Sequence, residues 1–285
     1  MAEPDPRRHP IRDDLVAEYL RDRVTAPRYA SPLAASVIAE TSAIRAAPAD
    51  TAIQTSELLF GENVDVYEDQ NGWSWIQGRA DGYVGYVRSD DLHPGHAGPS
   101  HRVITRLSHL FPEADIKSPP VGRLTMGAEI TITESDSRFS QLADGRYIMT
   151  AHISPVGEYQ DDPIAVAMQC MDAPYLWGGR SSLGLDCSGL VQMAARMTGH
   201  TPPRDSDMLA AELGAALPLD TPPDALQAGD VVFFPGHCMI ADGAGNLLHA
   251  NAHHMKVTLE PLTIVFDRTE GGWSSVTALR RMAGV

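Results

Sequence analysis

Near Pro155 the chain changes texture, and that change limits the folds open to it. Upstream, from residue 36 to about 92, short runs such as VDVYED, GWSWIQGR and GYVGYVRS are bounded by Gly, Asn or Asp. Period-two alternation with close turns is strand chemistry, and several such strands in roughly 60 residues predict a small barrel. After a linker-like stretch at 93–101 (HPGHAGPSH), a second β-rich run of similar length carries RVITRLSHLF, AEITITES and FSQLADGRYIMTAHI. The similar lengths predict a degenerate internal duplication. Downstream, DPIAVAMQCM and LDCSGLVQMAARMTGH read as helices. Pro163 stands at a first helical position, Leu190, Val191, Ala194 and Met197 share a face, and Gly199 closes the second helix. The strands DVVFF, HCMIAD, NLLHAN, MKVTLE and a final VTALRRM follow. Helices first and an antiparallel sheet after them predict an α+β domain. At the amino terminus Leu15, Val16, Tyr19, Leu20 and Val24 recur at helical spacing, which predicts a short amphipathic helix over 13–24.

At 285 residues the chain is long enough for two or three domains. Its formal charge of −15, with no basic stripe to offset it, excludes electrostatic nucleic-acid binding and disfavours docking on anionic membranes or an anionic wall. The amino terminus has basic residues but no apolar run behind them, and no stretch approaches the roughly 18 apolar residues of a membrane span. With Met1 read as the native start, the expected location is the cytoplasm. The three cysteines are an odd, sparse set that suits reduced thiols.

Cys187 is the candidate nucleophile among them. Asp186 sits where a helix N-cap belongs, which places Cys187 at the positive end of the helix dipole. That position favours thiolate and presents backbone N–H groups to an oxyanion. Gly189 keeps the surroundings small, and GGRSSLGL upstream would let a substrate backbone approach closely. Cys170 and Cys238 lie in apolar helix and strand patterns and read as packing residues. Downstream, His237 and His249 flank a DGAG turn. A hairpin centred near Gly243 would set the two imidazoles on one face, one as base toward Cys187 and the other orienting it. The competing chemistry is a metal site built from Cys187, His237, Cys238, His249, His253 and His254. No CxxC or HExxH spacing appears, and Cys238 should point away from the His237 face, so no metal is expected.

PYLWGGRSSLGLDCSGLVQ (174–192), PRDSD (203–207), AGDVVFFPGHCMIADG (228–243) and NLLHAN (246–251) resemble the NlpC-type papain-like cysteine peptidases, which cut peptidoglycan stem peptides. QTSELLFGENVDVYEDQNGWSWIQGRADGYVGYV (54–87) resembles the bacterial SH3-like domains that accompany that family. The resemblance implies an amino-terminal helical segment (1–35), two all-β SH3-like barrels (36–98 and 99–157) and an α+β papain-like catalytic domain (158–285). It assigns Cys187 as nucleophile, His237 as general base and His249 as orienter, with no cofactor. Tyr175 would position the carbonyl or stabilise the oxyanion. Asp186 and Ser188 would bind substrate near the nucleophile, and Arg204, Asp205 and Ser206 would hold the γ-D-Glu carboxylate or its neighbours. Glu57 and Tyr83 of the first barrel would close the end of the cleft. Cys238-Met239 departs from the family pattern, where many relatives carry Val-Gly. The whole looks like the cytoplasmic branch that recycles wall peptides, a γ-D-glutamyl-L-diamino acid endopeptidase acting on free muropeptides with an unblocked L-Ala. Two other readings stay open at this point: an inactive wall-peptide binding module, and a papain-like amidase or acyltransferase sharing the acyl-enzyme step.

Overall fold

A computed structural model describes residues 4–282, so the expected start at Met1 and the last three residues of the expected catalytic domain lie outside the described residues. The chain forms two compact units, Met1–Val156 and Gly157–Val285.

In the first unit a seven-stranded antiparallel sheet runs in the order Gln54–Leu59, Thr41–Arg45, Val84–Arg88, Trp73–Gly78, Asn63–Gln70, Leu33–Val37, Leu92–Pro94. It curls around Val37, Ile44, Leu58, Val64, Ile76 and Val87. The tightest turn in it is Asn71-Gly72, where both residues have positive φ (54° and 78°). That is the type I′ geometry whose twist matches the flanking strands, and Asn-Gly is the pair best able to adopt it. The following block, built around Val103, Leu110, Leu124, Ile130, Leu142 and Ile148, is made of shorter strands. Both blocks close in the same way, a strand, one 3-10 turn and a last strand: Val84–Arg88, Ser89–Asp91, Leu92–Pro94 and Tyr147–Met149, Thr150–His152, Ile153–Pro155.

The helix expected over 13–24 does not form. Leu15–Ala17 is instead a strand paired in parallel with Arg28–Ala30, followed by a single 3-10 turn at Glu18–Leu20. Three consecutive residues, Leu15, Val16 and Ala17, are buried together with Tyr67 and Trp75, while Tyr19 faces out at 58% exposure. A helix buries a stripe, not three residues in a row. So short a helix has little stability of its own, and packing against the barrel decides the conformation. The stretch expected as a linker narrows as well, because His93 and Pro94 pair with Leu33–Val37 and His101 begins the next strand.

In the second unit, Asp162 caps the helix Pro163–Met168 by accepting from the N–H groups of Ile164 (2.8 Å) and Ala165 (3.1 Å), with Pro163 at its first turn. The helix Cys187–Met197 is buried along nearly its whole length. A six-stranded antiparallel sheet runs Ala215–Ala216, Ala278–Arg281, Asp230–Phe234, His237–Ala241, Asn246–Asn251, Lys256–Pro261. The Cys187 helix packs on its central strands. Val232, Phe234, Met239, Ala241 and Leu247 form an apolar layer with Val265 and Phe266 of the helix Leu262–Arg268. Helices then an antiparallel sheet make this an α+β domain, with the Cys187 helix laid against the strands that carry His237 and His249.

Candidate active site

Asp186 caps the Cys187 helix. Its Oδ1 accepts from the N–H of Gly189 at 2.6 Å, and Oδ2 accepts from the N–H of Gly178 at 2.9 Å. Gly189 is required there, because a Cβ would lie 2.2 Å from the Gly179 carbonyl oxygen. The glycine-rich stretch therefore closes on the protein itself. Arg180–Ser181 pairs with Gly184–Leu185, and Arg180 Nε donates to Gln192 Oε1 of the Cys187 helix at 2.6 Å. Close backbone packing is its observed role.

Arg204, 1% exposed, donates to both Asp186 oxygens (3.0 and 2.6 Å) and to Ser188 Oγ (2.7 Å). Three residues expected to touch substrate thus form one internally bonded cluster beside Cys187. Asp205 and Ser206 are half-buried at the start of the helix Ser206–Glu212. Glu57 and Tyr83 belong to the other unit, where both are buried and Tyr83 is part of the barrel core.

Cys187 is the first residue of its helix and is 7% exposed. Its thiol is held well below the usual range by a hydrogen bond from Cys238 and, against the opposing effect of burial, by the hydrogen bond and charge of His237. Cys238, fully buried, is pushed up by burial and by its nearness to Cys187. The apolar pattern of its strand predicts Cys238 as a packing residue. The strand's alternation does turn it away from the Met239 face, and that direction brings it to the Cys187 helix. Cys170 packs against Met193, their sulfurs 3.9 Å apart. Tyr175 lies close enough to feel the charges of Cys187 and Asp186. Burial first, and those charges second, push its phenol up to about 12, so it keeps its O–H at neutral pH.

The two imidazoles meet: His237 Nε2 is 2.8 Å from His249 Nδ1. The hairpin register differs from the one expected. Ile240 faces Leu248 and Ala241 faces Leu247, so the centre is Ala244 and the residue across from His249 is Met239. A shift of two residues preserves the face, and the histidines pair as diagonal neighbours, still within reach. A second diagonal step continues the chain. His249 lies opposite Thr258, and its Nε2 reaches Glu260 Oε2 at 2.8 Å. Glu260 also receives two 2.6 Å bonds from Arg268 and lies 3.1 Å from His254 Nε2. Arg268 and the imidazoles hold the Glu260 carboxyl far below its usual range. Burial, reinforced by His237, lowers His249 from the usual 6.5 to about 4, so it is neutral near pH 7. Neither Glu260 nor Arg268 was singled out from sequence. For Glu260 a signal was available through pairing, since strand alternation puts it on the face of Thr258, the residue opposite His249; Arg268 had none.

A cavity of about 520 Å³ opens beside the pair, lined by Phe234, His237, Met239, His249, His253 and Glu270 among others. Among the described residues no group of three or more His, Cys, Asp or Glu is arranged to hold a metal ion. No helix among them is long and apolar enough to cross a membrane.

This site lies within residues 172–277, which match the NlpC/P60 family, while residues 44–92 match the bacterial dipeptidyl-peptidase Sh3 domain. The chain thus carries an NlpC/P60 domain preceded by a bacterial Sh3 domain, and it is a peptidase. It is 28% identical to dipeptidyl-peptidase 6 of Lysinibacillus sphaericus over 80% of this chain and 91% of that protein. It is 27% identical to a gamma-D-glutamyl-L-lysine dipeptidyl-peptidase of Bacillus subtilis, over 75% of this chain and 77% of that one. Among solved structures, an NlpC/P60 family protein from Bacillus cereus superposes with a TM-score of 0.73 at 19% identity. The match covers 87% of this chain and 99% of that one, and it bears on the fold.

Proposed function

We propose that the protein is a cysteine endopeptidase that hydrolyses the bond between γ-D-Glu and a diamino acid in peptidoglycan stem peptides, acting on free muropeptides whose L-Ala amine is unblocked. The observation that carries the chemistry is the low-lying Cys187 thiol at a helix start, bonded by His237, whose other nitrogen is fixed by His249. The substrate class draws on the relatives named for gamma-D-glutamyl-L-lysine cleavage.

In this reading the Cys187 thiolate attacks the γ-D-Glu carbonyl and forms a thioester. First-turn N–H groups of the helix and the Tyr175 hydroxyl face the oxyanion; a donor of this kind typically contributes about 10²–10³ in rate. His237 gives its proton to the departing amine of the diamino acid, which lies toward the cavity beside the histidines, and then takes one from the water that splits the thioester. The Asp186, Ser188 and Arg204 cluster forms the polar wall on the γ-D-Glu side, with Asp205 and Ser206 at its end. The same proposal places the enzyme in the cytoplasm, where cell fractionation would have to find it.

The test is mass spectrometry of L-Ala-γ-D-Glu-meso-diaminopimelate, and of the same peptide acetylated on its amine, incubated with wild type and with Cys187→Ala. The expected result is release of L-Ala-D-Glu by wild type alone, and from the free amine alone, with at least a 10³-fold loss in the variant by the order of magnitude known for nucleophile removal. Cleavage of neither peptide by wild type overturns the assignment.

A further inference from the structure

We propose that Glu260 is a positioning residue for the reaction: it fixes the tautomer of His249 and, through it, the nitrogen on which His237 accepts the Cys187 proton. The inference rests on the cysteine-peptidase reading of the site.

The argument is one of donors and acceptors. An ionised carboxylate can only accept, so His249 Nε2, 2.8 Å from Glu260, must carry the hydrogen. Buried and neutral, His249 has one donor nitrogen, which makes its Nδ1 an acceptor. His237 Nε2, 2.8 Å from that Nδ1, must then donate. The Nδ1 of a neutral His237 is left as its one basic atom, free to take the thiol proton. If the Glu260 carboxylate were lost, His249 could hold its hydrogen on Nδ1 and donate to His237 Nε2. The His237 proton would then sit on Nδ1, where a base is needed. Arg268 supports the arrangement by holding both Glu260 oxygens, and His254 and Thr258 complete the groups that face the carboxylate.

An ordinary structural ion pair would share the burial and the Arg268 contact but would not require a particular tautomer. The experiment compares wild type with Glu260→Gln and Glu260→Asp, using ¹⁵N NMR of the histidine rings, site-resolved iodoacetamide alkylation of Cys187, and kcat and KM. Wild type is expected to show His249 protonated on Nε2 and bare on Nδ1. In Glu260→Gln that signature is lost, and alkylation rate and kcat fall about 10–100-fold while KM moves little. Glu260→Asp, which keeps the charge, recovers part of the loss. A wild type protonated on His249 Nδ1 overturns the proposal. So does a Glu260→Gln protein that melts lower but keeps its kcat and alkylation rate. Tautomer and alkylation are read without substrate. A wild type showing both as expected but cleaving no peptide therefore supports the relay and sinks only the substrate assignment.

Discussion

Arg204 grips Asp186 through contacts of 2.6 and 3.0 Å, and Arg268 grips Glu260 through two of 2.6 Å, so the candidate site has one arginine–carboxylate pair beside Cys187 and another behind its histidines. What each carboxylate does with its remaining capacity separates them. Asp186 accepts from two backbone N–H groups, those of Gly178 and Gly189, and so fixes the entry to the Cys187 helix. Glu260 accepts from imidazoles and so fixes side chains that must present one nitrogen at the right moment. Burial follows the same division: the Arg204 side chain is 1% exposed and that of Arg268 is 28% exposed. Similar ion-pair chemistry serves the scaffold in one place and proton placement in the other.

The largest effect expected from that contrast is on the scaffold side. Arg204→Met leaves Asp186 buried beside Cys187 with its ionic partner gone. Breaking a buried pair in this way costs on the order of 3–5 kcal/mol. Urea denaturation should show that loss, with binding and turnover falling together because the helix start itself loosens. A loss near zero would mean that Asp186 is held well enough by the Gly178 and Gly189 N–H groups and the Ser188 hydroxyl, and the contrast would fail.

Acid should act on the other side. His249 is held neutral in the fold, down from the usual 6.5 to about 4, so between those values the unfolded chain binds a proton that the folded chain refuses. Stability therefore falls as pH drops from 6.5 toward 4; a fully expressed shift of this size corresponds to about 3 kcal/mol. Glu260 adds to the loss at lower pH. Its folded value is depressed, so its stabilisation is present above the unfolded carboxyl range and disappears as pH falls toward the folded value. Denaturation midpoints measured from pH 7 to pH 4 should slope downward in wild type and more weakly in His249→Asn. Equal slopes would place the acid sensitivity elsewhere.

The two sides also differed in how far the sequence revealed them. The capped Cys187 helix is local: Asp186, Cys187 and Gly189 fall within four consecutive residues, and a cap followed by an apolar face is written in consecutive letters. The histidine pair depended on a hairpin, and the expected centre at Gly243 was one residue from the true one at Ala244. Moving the centre by one shifts each pairing by two, so the side chains keep their face and the two imidazoles still meet despite the register error. Glu260 required a second hairpin to be carried through to its diagonal, and Arg268 required a helix folding back on that strand; neither has a local signature. The same limit explains the lost helix over 13–24. Its apolar spacing was genuine, but Tyr67 and Trp75, about 50 to 60 residues on, decided what Leu15, Val16 and Ala17 would do.

The smallest effect sharpens the comparison most. Arg268→Met removes the partly exposed partner of Glu260, whose carboxylate keeps His249 and His254. Such a pair is expected to cost about 1 kcal/mol or less, several times below Arg204→Met. Turnover should fall only a few-fold, because the His249 tautomer needs the carboxylate and not its counter-ion. Parallel urea titrations and kcat measurements on the two arginine variants separate the roles. If Arg268→Met matched Arg204→Met in stability, the relay would be scaffold too. If it matched Glu260→Gln in kcat with its fold intact, the guanidinium would be what aims the carboxylate, and the positioning unit would have to include Arg268.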